Sequence, residues 1–149
     1  YIKKKYWPDL ESRDDIRDIA RQLTDHIESY NTYNVASEVS PDGTRVFTGS
    51  RDKSAKLWDA NTGELLIKLE GYPVNAVAIS PDGKTLLTGN GHKERTAKLW
   101  DAATGEELLT LAGHTAGIEC VGFSPNGTKI LTGGNDGNAM LWDISGLIP

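Results

Sequence analysis

Three residues in the last quarter of the chain have the side-chain types that acid–base and nucleophilic catalysis require. His114 could transfer a proton, Asp136 could orient its imidazole, and Thr132 could supply a hydroxyl nucleophile. Other chemical signatures are missing: no second His or Cys stands at zinc-ligand spacing, and no glycine-rich loop precedes Lys-Ser or Lys-Thr. We therefore expect no metal and no cofactor, and the role of His114 depends on the elements that carry it.

Those elements recur along the chain. The triplet Leu-Trp-Asp occurs at 57–59, 99–101 and 141–143, a constant spacing of 42 residues. Ser-Pro-Asp-Gly occurs at 40–43 and 80–83 and becomes Ser-Pro-Asn-Gly at 124–127, while Thr-Gly ends an apolar run at 48–49, 88–89 and 132–133. A repeat of about 40–45 residues is typical of β-propeller blades.

The second repeat predicts four short strands joined by hairpins. Val74–Ile79 is a nearly continuous apolar run, which suits a buried strand, and Pro81-Asp82-Gly83 follows it as a turn. Residues 85–88, 96–100 and 107–111 predict the other strands, and none is long enough for a helix. The third repeat ends before an outermost strand. We expect an all-β fold of about three four-stranded antiparallel blades, the last one incomplete, over residues 33–71, 72–113 and 114–149.

The segment 1–32 has a different pattern. After a candidate N-cap at Ser12, apolar side chains recur at steps of 3, 4, 4 and 3. These positions are Ile16, Ile19, Leu23, Ile27 and Tyr30. The pattern predicts one amphipathic α-helix before the blades, which could be a linker helix packed on neighbouring structure or a docking helix for a partner.

From Tyr33 onward, the order and register of these motifs resemble the WD-repeat (WD-40) β-propeller family. The resemblance implies that a His, a strand Ser or Thr, a turn Asp and the Trp form a structural hydrogen-bond network in each blade. The matching positions are His114, Thr132, Asp136 and Trp142 in the third repeat, Thr48, Asp52 and Trp58 in the first, and Trp100 in the second. In the second repeat, Tyr72 replaces the His and the loop from Asn90 to Arg95 replaces the turn Asp. The resemblance thus favours structure over catalysis for His114, and we expect no enzyme activity.

The resemblance also implies a rigid platform that binds other proteins or peptides through the loops at one end of the blades. Carried over by position, the candidate contacts are Ser50, Arg51, Tyr72, Asn75, Asn90, His92, Lys93, Glu94, Arg95, Thr115 and Asn135. We expect a non-enzymatic interaction scaffold or sensor module. The alternative is the regulatory propeller of a multidomain effector enzyme, such as a protease, kinase or nucleotide hydrolase, with its catalytic domain upstream.

Composition narrows the classes of partner. The net charge of −5 is spread evenly, which disfavours nucleic acid, and no apolar run is long enough to cross a membrane. A single cysteine, Cys120 in an apolar strand, suggests a buried thiol in a reducing, cytoplasmic setting. Three blades fall short of a closed ring, and the chain begins with Tyr1. We therefore expect part of a longer protein, in which remaining blades or a second copy close the propeller.

Overall fold

The computed structural model describes residues 35–91 and 93–148, and this part of the chain consists of eleven strands in three antiparallel sheets. The first sheet contains β1 (Val35–Val39), β2 (Arg45–Ser50), β3 (Ser54–Asp59) and β4 (Leu65–Glu70). The second contains β5 (Val74–Ile79), β6 (Thr85–Asn90), β7 (Thr96–Asp101) and β8 (Glu107–Ala112). The third contains β9 (Ile118–Phe123), β10 (Lys129–Gly134) and β11 (Ala139–Asp143). Within each sheet, neighbouring strands follow one another in sequence.

The turn after each innermost strand is fixed by its own side chains. In the first sheet, Ser40 Oγ donates to Asp42 Oδ1 at 2.7 Å, and the backbone N–H of Thr44 donates to the same oxygen at 3.0 Å. Gly43 has a φ of 74°, a left-handed conformation that glycine adopts without steric cost. The third sheet has the same turn built on Asn126, whose Oδ1 accepts from Ser124 Oγ at 2.7 Å. The amide thus replaces the carboxylate without changing the turn.

The sheets stack face to face in chain order. We call the side of a sheet that faces the next sheet its downstream face, which in the second sheet carries Leu87 and Leu99. Both of these leucines are fully buried, and they pack in one apolar cluster with Ile118 and Ile130 of the third sheet. A second cluster joins the first sheet to the second, with Phe47 and Leu57 of the first sheet among its members. Two apolar layers therefore hold three sheets together.

Close approach of the sheets depends on a strand glycine. A Cβ on Gly49 would lie 2.5 and 2.7 Å from side-chain atoms of Val74 and Val77. A Cβ on Gly89 would lie 2.8 and 2.9 Å from side-chain atoms of Ile118 and Val121. In both interfaces, β-branched side chains of the next innermost strand occupy the space that a side chain at the glycine would need. The Thr-Gly pair of the repeat is thus a stacking site.

The downstream face of the third sheet is open. Leu131 and Leu141, which correspond by strand register to Leu87 and Leu99, are 52% and 67% exposed. Cys120 lies on the same face beside Gly133 and is a free, exposed thiol. The expectation that Cys120 is buried is wrong, because no sheet in the described part of the chain covers this side.

The structure corrects one part of the predicted fold. Strands and connecting turns make up residues 35–91 and 93–148, and this region contains no helix. The amphipathic helix predicted before the blades falls at positions 12–30, outside the described residues, so the structure does not support it and we do not retain it. The predicted bounds of β5 are confirmed, and the other strands of the second sheet extend one or two residues further than predicted.

The turn carboxylates predict a stability that decreases in acid. Hydrogen bonds from the Ser40 hydroxyl and from Thr44 lower the pKa of Asp42 from 3.8 to about 2. Because the folded state holds the ionised form, its stabilisation is present above pH 4 and is lost as the pH falls toward 2. We expect Asp42→Asn to make the loss of stability over this range shallower. Urea unfolding at several pH values measures it.

The natural Asn126 turn supplies the reciprocal control. Asn126→Asp adds a titrating carboxylate in the same geometry, and we expect it to steepen the loss of stability in the same pH window. If Asp42→Asn and Asn126→Asp both left the pH dependence unchanged, these turns would not contribute to acid sensitivity.

Candidate functional site

The third sheet contains a polar network that links strands β10 and β11 to the connection from β8. His114 Nδ1 lies 2.9 Å from Asp136 Oδ2, and His114 Nε2 lies 2.8 Å from Thr132 Oγ1. Trp142 Nε1 donates to the same Thr132 oxygen at 2.9 Å. Thr132 lies at the midpoint of β10 and is completely buried, so its hydroxyl is the centre of the network.

The network has the connectivity of an acid, a base and a hydroxyl, but the hydroxyl is not available for reaction. With Nδ1–H donating to Asp136, Nε2 is left to accept the Thr132 proton, as in a nucleophile activated by histidine. Thr132 Oγ1 also accepts the indole N–H of Trp142, and no part of Thr132 reaches solvent. A nucleophile must contact its substrate, so this arrangement ties strands together.

Asp136 is kept ionised by backbone donors. The N–H groups of Asn138 and Thr115 donate to its two oxygens at 3.0 and 2.9 Å, and they are the main reason that its pKa falls to about 2. The carboxylate therefore bridges the β10–β11 turn and the connection that carries His114. It fixes the position of a loop as well as the orientation of the imidazole.

In residues 35–91 and 93–112, the first two sheets show the inner half of this network. Trp58 Nε1 donates to Thr48 Oγ1, and Trp100 Nε1 donates to Thr88 Oγ1, both at 3.0 Å. Asp52 accepts from the backbone and hydroxyl of Ser54 within its own turn. In these sheets the Trp–Thr bond joins the second strand to the third.

The second sheet has a charged cluster where the histidine is missing. Lys98 is 7% exposed, and its ammonium lies 4.8 Å from the ring centre of Tyr72, the residue at the His position. The ammonium also donates to Glu107 Oε2 at 2.9 Å and to Thr110 Oγ1 at 3.2 Å. The hydrogen bonds from Thr110 and Lys98 lower the pKa of Glu107. Tyr72 thus contributes an aromatic face to the buried lysine of an ion pair whose glutamate is exposed.

We call the end of the sheets that carries residues 51–53, 71–73, 91–95, 113–117 and 135–138 the loop face. Its exposed predicted contacts are Arg51, Lys93, Glu94, Arg95, Thr115 and Asn135, with Tyr72 and Asn75 half-buried. Ser50 and Asn90 are buried; Ser50 accepts from the Asp52 N–H, and Asn90 donates to Thr96. His92 lies outside the described residues. Five residues separate β6 from β7, against three in the first sheet and four in the third.

Two residues of the site were not predicted from the sequence. Glu119 on β9 accepts amide hydrogens from Asn75 at 3.0 Å and from Asn135 at 2.8 Å. Lys98 is the buried cation described above. The available signal for Glu119 was an acidic residue inside the apolar run 118–123, and for Lys98 it was a lysine two positions before the repeated Trp.

Neither metal chemistry nor membrane insertion has structural support in the described region. Residues 35–91 and 93–148 contain no cluster of three His, Cys, Asp or Glu side chains that could hold a metal ion. In the same residues, no helix has the length and hydrophobicity needed to cross a membrane.

Comparison with known families gives three matches along the chain. The sequence model described as WD domain, G-beta repeat matches residues 18–59, 63–101 and 105–143. The second and third ranges begin just before β4 and β8 respectively and end with the Asp of Leu-Trp-Asp. The first range begins at residue 18, upstream of Tyr33, from which the repeated motifs run.

This chain matches only part of the length of each individual relative. The nuclear distribution protein PAC1 of Arthroderma benhamiae is 47% identical over 55 residues, which are 36% of this chain and 12% of the relative. The guanine nucleotide-binding protein subunit beta of Oryza sativa subsp. indica is 32% identical over 117 residues, 71% of this chain and 31% of the relative. The WD repeat-containing protein 26 homolog of Drosophila melanogaster is 29% identical over 117 residues, 73% of this chain and 19% of the relative. The chain thus spans about a third or less of these relatives.

The central hydroxyl of the network gives a graded stability prediction. Thr132→Val preserves the shape of the side chain and leaves two buried partners, Trp142 Nε1 and His114 Nε2, unsatisfied. Thr88→Val in the second sheet leaves only Trp100 Nε1. An unsatisfied buried polar group costs about 1–3 kcal/mol, so we expect Thr132→Val to reduce the free energy of unfolding more than Thr88→Val does. Thermal and urea unfolding measure both. Equal losses would show that His114 contributes little.

Proposed function

This chain belongs to the WD40-repeat family, and we propose that it is a non-enzymatic protein-interaction scaffold or sensor module within a longer propeller protein. The family resemblance implies a rigid platform that binds other proteins or peptides. The observation that carries the proposal is the contrast between a rigid interior and a charged loop face. Thr132 and His114 at the centre of the network are buried, whereas Arg51, Lys93 and Arg95 in the loops are exposed. The relative from rice is named as a subunit, which supports assembly with other proteins as the mode of action.

The second loop is the strongest candidate contact on the loop face. Residues 91–95 form the longest of the three connections between second and third strands, and Lys93, Glu94 and Arg95 are exposed at its tip. Loops held on a rigid scaffold are where proteins commonly place binding residues. Arginine is also among the residue types enriched in the centres of interfaces.

We expect shortening of this loop to remove bound partners selectively. Gly91 would be kept and residues 92–95 would be replaced by the two-residue sequence of positions 52–53, and each version of the chain would be used as bait in quantitative affinity purification. Lys84→Glu, an exposed change in the turn at the opposite end of the second sheet, is the matched control. A protein lost with the shortened loop and retained with Lys84→Glu supports the proposal. Equal recovery of every bound protein with both variants would contradict it.

The open downstream face of the third sheet supports a second kind of contact, with further sheets of a propeller. Leu131 and Leu141 stand exposed where Leu87 and Leu99 are covered, and Gly133 repeats the stacking glycines Gly49 and Gly89 in register. The fitting occupant is another innermost strand with β-branched residues. A second copy joined head to tail fits less well, because Val46 and Thr48 on the other side of the first sheet are already buried.

Cys120 reports on the occupant of this face. In the isolated chain we expect its thiol to react rapidly with a disulfide reagent at every protein concentration, because the thiol is exposed. In a longer chain that includes further blades we expect protection. Light scattering across the same dilution series provides the control. Protection that increases together with mass at higher concentration would identify a second copy as the occupant and overturn our assignment.

We also propose a cytoplasmic location. Cys120 is a free and exposed thiol, and such thiols persist in reducing compartments. In an oxidising compartment this thiol would pair with another molecule.

A further inference from the structure

A chain of polar side chains crosses all three sheets on the loop face. Arg51 Nε donates to Asn75 Oδ1 at 3.1 Å, and Asn75 Nδ2 donates to Glu119 Oε1 at 3.0 Å. Asn135 Nδ2 donates to the same glutamate oxygen at 2.8 Å. We call these four residues the polar ridge. It starts in the first sheet, passes through the second and ends in the third.

The central carboxamide of the ridge is held in one orientation. Its oxygen faces the guanidinium of Arg51, and its nitrogen faces the carboxylate of Glu119 and also donates to the backbone oxygen of Ile118 at 3.2 Å. Gly91 leaves the space for this group, since a Cβ there would lie 2.6 Å from Asn75 Nδ2. Reversing the amide would place like partial charges together at both ends. The positions of the two charged groups are therefore fixed before any partner binds.

Each charged group of the ridge retains binding capacity. Arg51 and Glu119 are both exposed, and neither has an ion-pair partner among the described residues. Arg51 uses only Nε in the ridge, so its two terminal nitrogens can bind a carboxylate with two parallel hydrogen bonds. Glu119 accepts neutral amides on Oε1, and within residues 35–91 and 93–148 its Oε2 accepts no hydrogen bond.

We propose that the polar ridge binds an extended peptide segment of a partner protein that carries an acidic and a basic side chain two residues apart. The acid pairs with Arg51, and the base pairs with Glu119. One carboxamide and two hydrogen bonds separate the charges of the ridge. Side chains at positions i and i+2 of an extended chain lie on one side, about 7 Å apart. This proposal rests on the interaction function proposed above and specifies the chemistry of the partner.

The two opposite charges of the ridge favour a partner that carries both an acidic and a basic residue over a partner that carries only one kind of charge. A partner with only acidic residues would be attracted by Arg51 and repelled by Glu119, and a purely basic partner would meet the reverse. A segment that carries both charges in the correct order finds two attractive contacts and no repulsive one, which gives specificity. Because the ridge is already ordered, less conformational entropy is lost on binding.

A titration with short peptides tests the proposal on the whole chain. The probe is an acetylated, amidated peptide with a central Asp-Gly-Arg in a Gly-Ser background, followed in ¹⁵N NMR spectra through the Arg51 Nε–H and the side-chain amides of Asn75 and Asn135. Control peptides replace Asp by Asn or Arg by Gln. We expect the doubly charged peptide to shift these signals and each control peptide to bind about tenfold more weakly.

Matched variants separate binding from structure. Glu119→Gln keeps an oxygen acceptor for both amides and removes only the charge, so we expect weaker binding of the Asp-Gly-Arg peptide with an unchanged melting temperature. Glu64→Gln removes the same charge from an exposed turn at the other end of the first sheet, and it should bind like the parent chain. If the ridge served only as a clamp, Glu119→Gln would bind the Asp-Gly-Arg peptide no differently from the parent chain.

Two results would overturn the proposal: no shift of the ridge signals with the doubly charged peptide, or equal binding of all peptides to Glu119→Gln and to the parent chain. Neither result alters the affinity purification with the shortened second loop, so failure of the ridge and failure of the interaction function are distinguishable.

Discussion

The structure depends on how closely one sheet can approach the next. At Gly49 and Gly89 a strand lacks a side chain so that β-branched residues of the following innermost strand can reach its backbone. The apolar clusters between sheets and the alignment of the loops at one end both require this distance. A strand glycine normally weakens a sheet, because it packs nothing and gains backbone freedom when unfolded. Here the energy lost within one sheet is offset by contacts between two.

Local rules made much of the fold predictable from the sequence. The bounds of β5 and the Ser-Pro-Asp-Gly turns depend on short-range chemistry, so residue types alone define them. The prediction of a helix was wrong because it rested on periodicity alone. The spacing of apolar residues shows which side of a helix could be buried, but it does not show whether a surface is present to bury that side. The prediction that Cys120 is buried was wrong for the same reason, since its burial depends on a neighbouring sheet.

The candidate site also has one part that the sequence predicts and another part that it does not. The repeated Trp and Thr residues mark positions in one strand register, and a motif identifies them directly. Glu119 and Lys98 contact residues that are more distant in sequence than any motif records, so their roles emerge only from coordinates. Sequence variation between repeats therefore carries the functional information. The second sheet substitutes an aromatic and an ion pair for a histidine, and the three connections at the loop face differ in length.

Among the described residues, each sheet packs against its sequence neighbours, so the three sheets form a short linear array whose stability is a sum of unit and nearest-neighbour terms. In such an array the end unit opens first. In the part of the chain that the structure describes, the third sheet has the fullest polar network, yet Leu131 and Leu141 on one of its sides are exposed. Its amide hydrogens should therefore exchange with solvent through local opening at a lower free energy than those of the second sheet, which is covered on both sides. The hydrogen bonds among Trp142, Thr132, His114 and Asp136 then oppose local opening in the sheet that is most prone to it.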